Sequence, residues 1–182
     1  MKILATLFLI LAGSVVLADA DGSTALEVVP SVDLSRYAGK WYEVARLPNR
    51  FQQNCAGEVT ATYSLLAGDT LKVVNACARK NGQSMMAEGK ARLASARGPN
   101  SKLKVRFAPA WLSWLPAVWG DYWILDLAPD YSYSVVGTPD RKYLWILSRT
   151  PQMSAATYDQ LIRQSAAKGF DVARLVKTRQ SK

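Results

Sequence analysis

The sequence contains no histidine. That absence removes Ser-His-Asp and Cys-His nucleophilic triads, imidazole ligands for zinc or haem, and histidine general bases. Cysteine is scarce: Cys55 and Cys77 are the only two, and without histidine to recruit they do not make a metal site. Internal repeats and low-complexity linkers are missing, and the one long apolar run is at the N-terminus. What remains is a chain of 182 residues, 49% hydrophobic and 20% charged, which is the composition and size of one globular domain with a real core. Carboxylate pairs and lysine nucleophiles stay open as catalysts.

The N-terminus reads as a secretory leader over residues 1–20. Met1-Lys2 supplies a positive start, Ile3 to Leu17 is apolar, and Ala18-Asp19-Ala20 offers a small-x-small cleavage pattern. The expected domain therefore spans 21–182, on an exported protein, periplasmic, outer-membrane associated or secreted. In that compartment Cys55 and Cys77 most simply form one disulfide, stabilising by roughly 3 kcal/mol. Two buried thiols are the rival. The net charge of +9 comes from scattered residues that alternate with apolar ones, so it reads first as a solvated face and second as a preference for anionic membrane. No basic groove with stacking aromatics supports nucleic-acid binding.

Period-2 patterning fills the middle of the chain. Strands are expected near 40–47, 58–65, 71–77, 85–93, 102–107, 121–127, 131–136 and 143–149, separated by turn signals such as Lys80-Asn81-Gly82 and Gly98-Pro99-Asn100. After Pro151 the period changes: Ser154 caps a helix in which Tyr158, Leu161 and Ile162 recur at helical spacing, closed by Lys168-Gly169. A ninth short strand, 170–177, follows.

Eight amphipathic strands with short connections bury their dry faces by closing into an antiparallel up-and-down barrel, which also removes the edges. A barrel of eight strands can hold a small ligand. Parity places Tyr63, Met85, Phe107, Trp123, Tyr133 and Trp145 inside, with small Ala87, Gly89 and Ala91 leaving room. The stretch 108–119 holds Trp111, Trp114 and Trp119 among prolines. It reads as a lid or pocket wall, a membrane contact, or an oligomer interface.

Asp33 to Arg46, with its Gly39-Lys40-Trp41 kernel, resembles the first lipocalin motif. Tyr143 to Pro151, with Arg149 before the helix, resembles the third, and Asp130-Tyr131 falls where the second belongs. The resemblance covers about residues 31–178 and is nearest the bacterial, outer-membrane lipoprotein type, with apolipoprotein D and the plant temperature-induced lipocalins. It implies an all-β lipocalin barrel with one outer helix. Gly39, Trp41 and Arg149 would be structural, the arginine lying across the indole.

The resemblance further implies binding or transport of a fatty acid or lysophospholipid in the cavity, in envelope maintenance, by a monomer or homodimer without cofactor or metal. The expected ligand residues are Tyr63, Met85, Phe107, Trp111, Trp114, Trp123, Tyr133 and Trp145. Of these, Trp145 matches a pocket tryptophan of the apolipoprotein D type. Arg46 and Arg50 are candidate cations for an anionic head group. The chain departs from the bacterial pattern in having no cysteine near the cleavage point for acylation. A lipid-modifying enzyme on the same barrel is the rival, with Glu43 and Asp126 as the carboxylates to inspect, and a membrane-surface protein acting through the Trp-rich loop is the third reading.

Overall fold

The computed structural model describes residues 25–181. The expected leader at 1–20 lies outside the described residues. Strands β1 (Gly39–Arg46), β2 (Cys55–Leu66), β3 (Thr70–Arg79), β4 (Ser84–Leu93), β5 (Lys102–Arg106), β6 (Gly120–Leu127), β7 (Tyr133–Gly137) and β8 (Leu144–Ser148) pair antiparallel with their sequence neighbours. β1 pairs with both β2 and β8, which closes an eight-stranded barrel. A short α1 (Leu34–Tyr37) precedes β1. A longer α2 (Ala155–Ala167) packs outside, and β9 (Val176–Lys177) adds to β1.

Local chemistry sets these boundaries. Asp33 caps α1 by accepting from the Ser35 and Arg36 amides, and Ser154 caps α2 by accepting from Thr157 N–H at 3.1 Å. Gly39 turns the chain from α1 into β1 at φ +97, where a Cβ would press on Arg149 Nη1 at 3.2 Å. The ninth strand is shorter than the 170–177 expected. Phe170 turns into a hydrophobic cluster under α2, and Val172–Arg174 form a 3-10 turn before β9. The cysteines form the disulfide, Cys55–Cys77, with Cα atoms 5.6 Å apart.

The core has two layers. Inside the barrel, Trp41, Tyr63, Leu71, Val73, Ala91, Leu103, Ile124, Val136 and Leu147 pack with Leu34 and Tyr37 of α1. Outside it, Ala45, Leu125, Val135, Leu144 and Ile146 pack under Leu161 of α2 and Phe170. This second layer overturns part of the expected interior. Trp123 and Tyr133 pack with the outer cluster, as do Leu125 and Val135. The inward residues of β6 and β7 are Tyr122, Ile124, Leu127, Ser134 and Val136. Two causes combine. Strands covered by a helix are apolar on both faces, so alternation does not say which face is inside. A bulge between Ile124 and Asp126 then shifts the phase within β6.

At the mouth end β1 and β2 part after four paired positions. The C-terminal tail fills the seam. Thr178 N–H donates to Val44 O at 2.9 Å and Glu58 N–H donates to Arg179 O at 2.8 Å. The Gln180 amide donates to Glu43 O and Val59 O, one on each side of the gap. The tail is part of the barrel wall.

Candidate functional site

The closed end is plugged. Trp41 is fully buried and donates from its indole to Tyr37 O at 2.8 Å. Arg149 lies across the indole, its Cζ 3.8 Å from the ring centroid, and donates to the carbonyls of Arg36, Tyr37, Lys40 and Tyr131. The arginine thus satisfies carbonyls that α1 and the turn into β1 leave without partners. Gly39, Trp41 and Arg149 meet at this end of the barrel.

Above the plug lies a floor of three tyrosines. The Tyr122 hydroxyl is 2.8 Å from those of both Tyr37 and Tyr63, and Tyr37 reaches Ser134 Oγ at 3.1 Å. Burial pushes all three phenols up, Tyr37 to about 12. Tyr63 is part of this packed floor rather than of an open wall. Tyr37 and Tyr122 escaped the sequence reading. Tyr37 lies before the first strand pattern, and Tyr122 neighbours Trp123, which took its place in the parity argument.

The wall above the floor keeps accessible surface. By register, Ala61, Asn75, Met85, Ala87, Val105 and Trp145 share the inward face, and none of them is fully buried; Ala87 is exposed. The barrel is therefore tightly packed below and less tightly packed above, where the accessible inward face forms the candidate cup. Phe107 follows β5 and lays its ring against Gly89 of β4, 41% exposed. It sits where a Cβ on Gly89 would stand 2.7 Å from its ring, so that glycine is what admits the phenyl group.

One side of the mouth is polar. Glu43 is only 2% exposed, and its carboxylate accepts from Arg46 Nη1 at 2.6 Å, from Gln52 Nε2 at 2.5 Å and from the Thr178 hydroxyl. Gln52 Oε1 in turn accepts from the Trp145 indole at 2.9 Å and from Asn49 at 2.8 Å. Trp145 stacks on Tyr143, and Tyr143 meets Phe51, which leads the aromatic path out to solvent. A bulge between Glu43 and Ala45 turns Arg46 inward, opposite Trp145. Its charge is offset by Glu43, so Arg50, exposed and stacked on Phe51, is the cation of the two with no ion pair among the described residues. Gln52 and Thr178 lie in a loop and a tail, where sequence periodicity carries no signal.

The two carboxylates of the enzyme reading sit apart. Asp126 faces out into a groove with Lys168 and Gln164 of the α2 side; burial raises its pKa and Lys168 opposes the rise. It does not reach the cup. Glu43 does, but all its donors are structural.

The sequence leaves the Trp-rich segment, 108–119, open between a lid or pocket wall, a membrane contact and an oligomer interface. It forms two 3-10 turns, Ala110–Leu112 and Pro116–Val118, and folds onto the outer wall. Trp119 lies under Arg92 Cζ at 4.1 Å and Arg106 Cζ at 5.3 Å, and donates to Ser113 O at 2.8 Å. Trp114 lines an outer hollow of about 170 Å³ with Arg92, Lys104 and Trp119. Trp114 is thus removed from the cup, because its neighbours are outward residues of β4 and β5. Trp111, in the same loop, is 73% exposed.

A closed antiparallel barrel, plugged at one end by a Gly-x-Trp turn and open at the other, defines the class of cup-shaped binding barrels for small molecules. Within that class, a family model described as a lipocalin-like domain matches residues 32–180. Temperature-induced lipocalin-1 of Arabidopsis thaliana is 43% identical over 157 residues, covering 86% of this chain and 83% of the relative. Outer membrane lipoprotein Blc of Escherichia coli K12 is 37% identical over 150 residues, covering 82% and 80%. Insecticyanin from the tobacco hornworm Manduca sexta shares the fold with a TM-score of 0.66 at 21% identity, covering 88% of this chain and 87% of that one. The chain belongs to the lipocalin family, whose members bind small hydrophobic ligands.

Proposed function

We propose that this lipocalin is an exported carrier of an acyl lipid, a fatty acid or lysophospholipid, held in the open half of its barrel and serving envelope maintenance. The observation that carries the reading is the inward face of Ala61, Met85, Ala87, Val105 and Trp145, which keeps accessible surface above a sealed tyrosine floor. An acyl chain laid there gains about 0.8 kcal/mol per buried methylene before ordering costs. The phenol hydroxyls below are engaged with each other, so they place no polar demand on the chain end. Its head group would lie at the mouth, near Arg50 and the Glu43–Arg46–Gln52 network. No catalytic step is assigned: the inward carboxylate is saturated by donors, and the shifted one is outside the cup.

The supporting relatives carry the names of a lipocalin and an outer-membrane lipoprotein, in keeping with export, which the leader-like residues 1–20 also favour. Native mass spectrometry of protein purified without detergent tests the reading. A one-to-one adduct that releases acyl lipid, and a fatty-acid quench of fluorescence that disappears in Trp145→Ala, are expected. Absence of both adduct and quench would refute carriage.

A further inference from the structure

The outer faces of β3, β4 and β5 bring Lys72, Lys90, Arg92, Lys102, Lys104 and Arg106 together. Three cross-strand pairs in this wall oppose like charges directly: Lys72 with Lys90, Lys90 with Arg106, and Arg92 with Lys104. Such pairs cost stability, and a wall evolved for solvation alone would interleave carboxylates. Only Glu88 and Asp121 do so, bonding Lys72 at 2.9 Å and Lys104 at 2.8 Å. Arg106 is the extreme case. It is 6% exposed with no carboxylate within ion-pair distance among the described residues, and its Nε has no hydrogen-bond partner. Its Nη1 donates to Ala108 O and its Cζ lies 5.3 Å from the Trp119 ring, which it shares with Arg92, so this buried cation adds to the field of the wall without itself meeting solvent. Beside Arg92 and Lys104 stands Trp114, 75% exposed, and Trp111 of the same loop is 73% exposed.

We propose that this wall is a docking surface for an anionic phospholipid bilayer, with Trp111 and Trp114 seated at the head-group level and the accessible cations Lys90, Arg92 and Lys104 on the phosphates. Uncompensated cations answer a surface of fixed negative charge, and indoles are favoured at the boundary between head groups and acyl chains. The flank of the barrel would then face the membrane, leaving the mouth free. The inference does not rest on what the cup holds.

The test is co-sedimentation of the purified, disulfide-bonded protein with vesicles of pure phosphatidylcholine and of phosphatidylcholine with phosphatidylglycerol. The wild type should bind the anionic vesicles, more weakly as salt rises, and bind the neutral ones little. Lys90→Gln/Arg92→Gln/Lys104→Gln should lose roughly 100-fold in anionic-vesicle affinity, about fivefold per cation. Lys90→Gln alone, which relieves two like-charge pairs and breaks no ion pair among the described residues, should unfold at an equal or higher temperature. Trp111→Ser/Trp114→Ser should weaken binding while leaving its salt dependence in place. Fatty-acid quenching of Trp145 should be unchanged in both, which separates this result from any failure of the carrier reading. Equal binding to neutral and anionic vesicles, or an unchanged charge variant, would overturn the proposal. So would binding of the wall to duplex DNA with vesicles ignored.

Discussion

Filling the cup is the most informative single perturbation. Ala87 faces inward from β4 yet is exposed, so Ala87→Phe should add a ring at the accessible end of the inward face rather than in the packed floor. The ring displaces about three methylenes of a bound chain. At about 0.8 kcal/mol each, that is roughly 2.5 kcal/mol, or about 60-fold in Kd. Four residues along the same strand, Ala91 is 2% exposed in the packed floor. There the same substitution should cost about 1–3 kcal/mol of stability through overpacking. Isothermal titration with lysophospholipid, beside denaturant melts of both variants, separates the two effects. Ala87→Phe should bind poorly and fold normally. Wild-type affinity in Ala87→Phe, or its destabilisation by as much as Ala91→Phe, would show that the upper barrel is already full and refute the argument.

Glu43→Ala should destabilise by about 3–5 kcal/mol in denaturant melts, since it strands Arg46 in a largely buried site; Arg46→Met added to it should recover part of the loss. Reducing Cys55–Cys77 should lower stability by roughly 3 kcal/mol, visible as a drop in Tm under reductant that is absent in Cys55→Ser/Cys77→Ser. Tyr37 titrates near 10 unfolded and near 12 folded, so its contribution is intact below pH 10 and is lost as pH rises toward 12. Unfolding free energy should fall over that window, and Tyr37→Phe should flatten the fall.

Strands with one wet face were readable from sequence, and β2 to β5 stand near their expected limits with the expected face inward. There Lys102, Lys104 and Arg106 alternate with Leu103 and Val105, so polarity reports the side. The reading failed where a helix covers the sheet. Val135 and Val136 are both buried, one under α2 and one inside, and no pattern of polarity tells them apart. The bulges at Glu43/Ala45 and Ile124/Asp126 compounded this by changing phase inside a strand. The mouth network was hidden for another reason: Gln52 and Thr178 reach Glu43 from segments distant in sequence. The plug was legible because Gly39, Trp41 and Arg149 are specified by chemistry rather than by periodicity.

The most direct test of the account is to crystallise the protein with a fatty acid brominated at its terminal carbon and locate the bromine by anomalous scattering. The account places that peak inside the barrel, between Ala87 and Trp145 and above the hydroxyls of Tyr63 and Tyr122. A peak on the outer wall beside Trp114, or a barrel with no bromine in it, would contradict it.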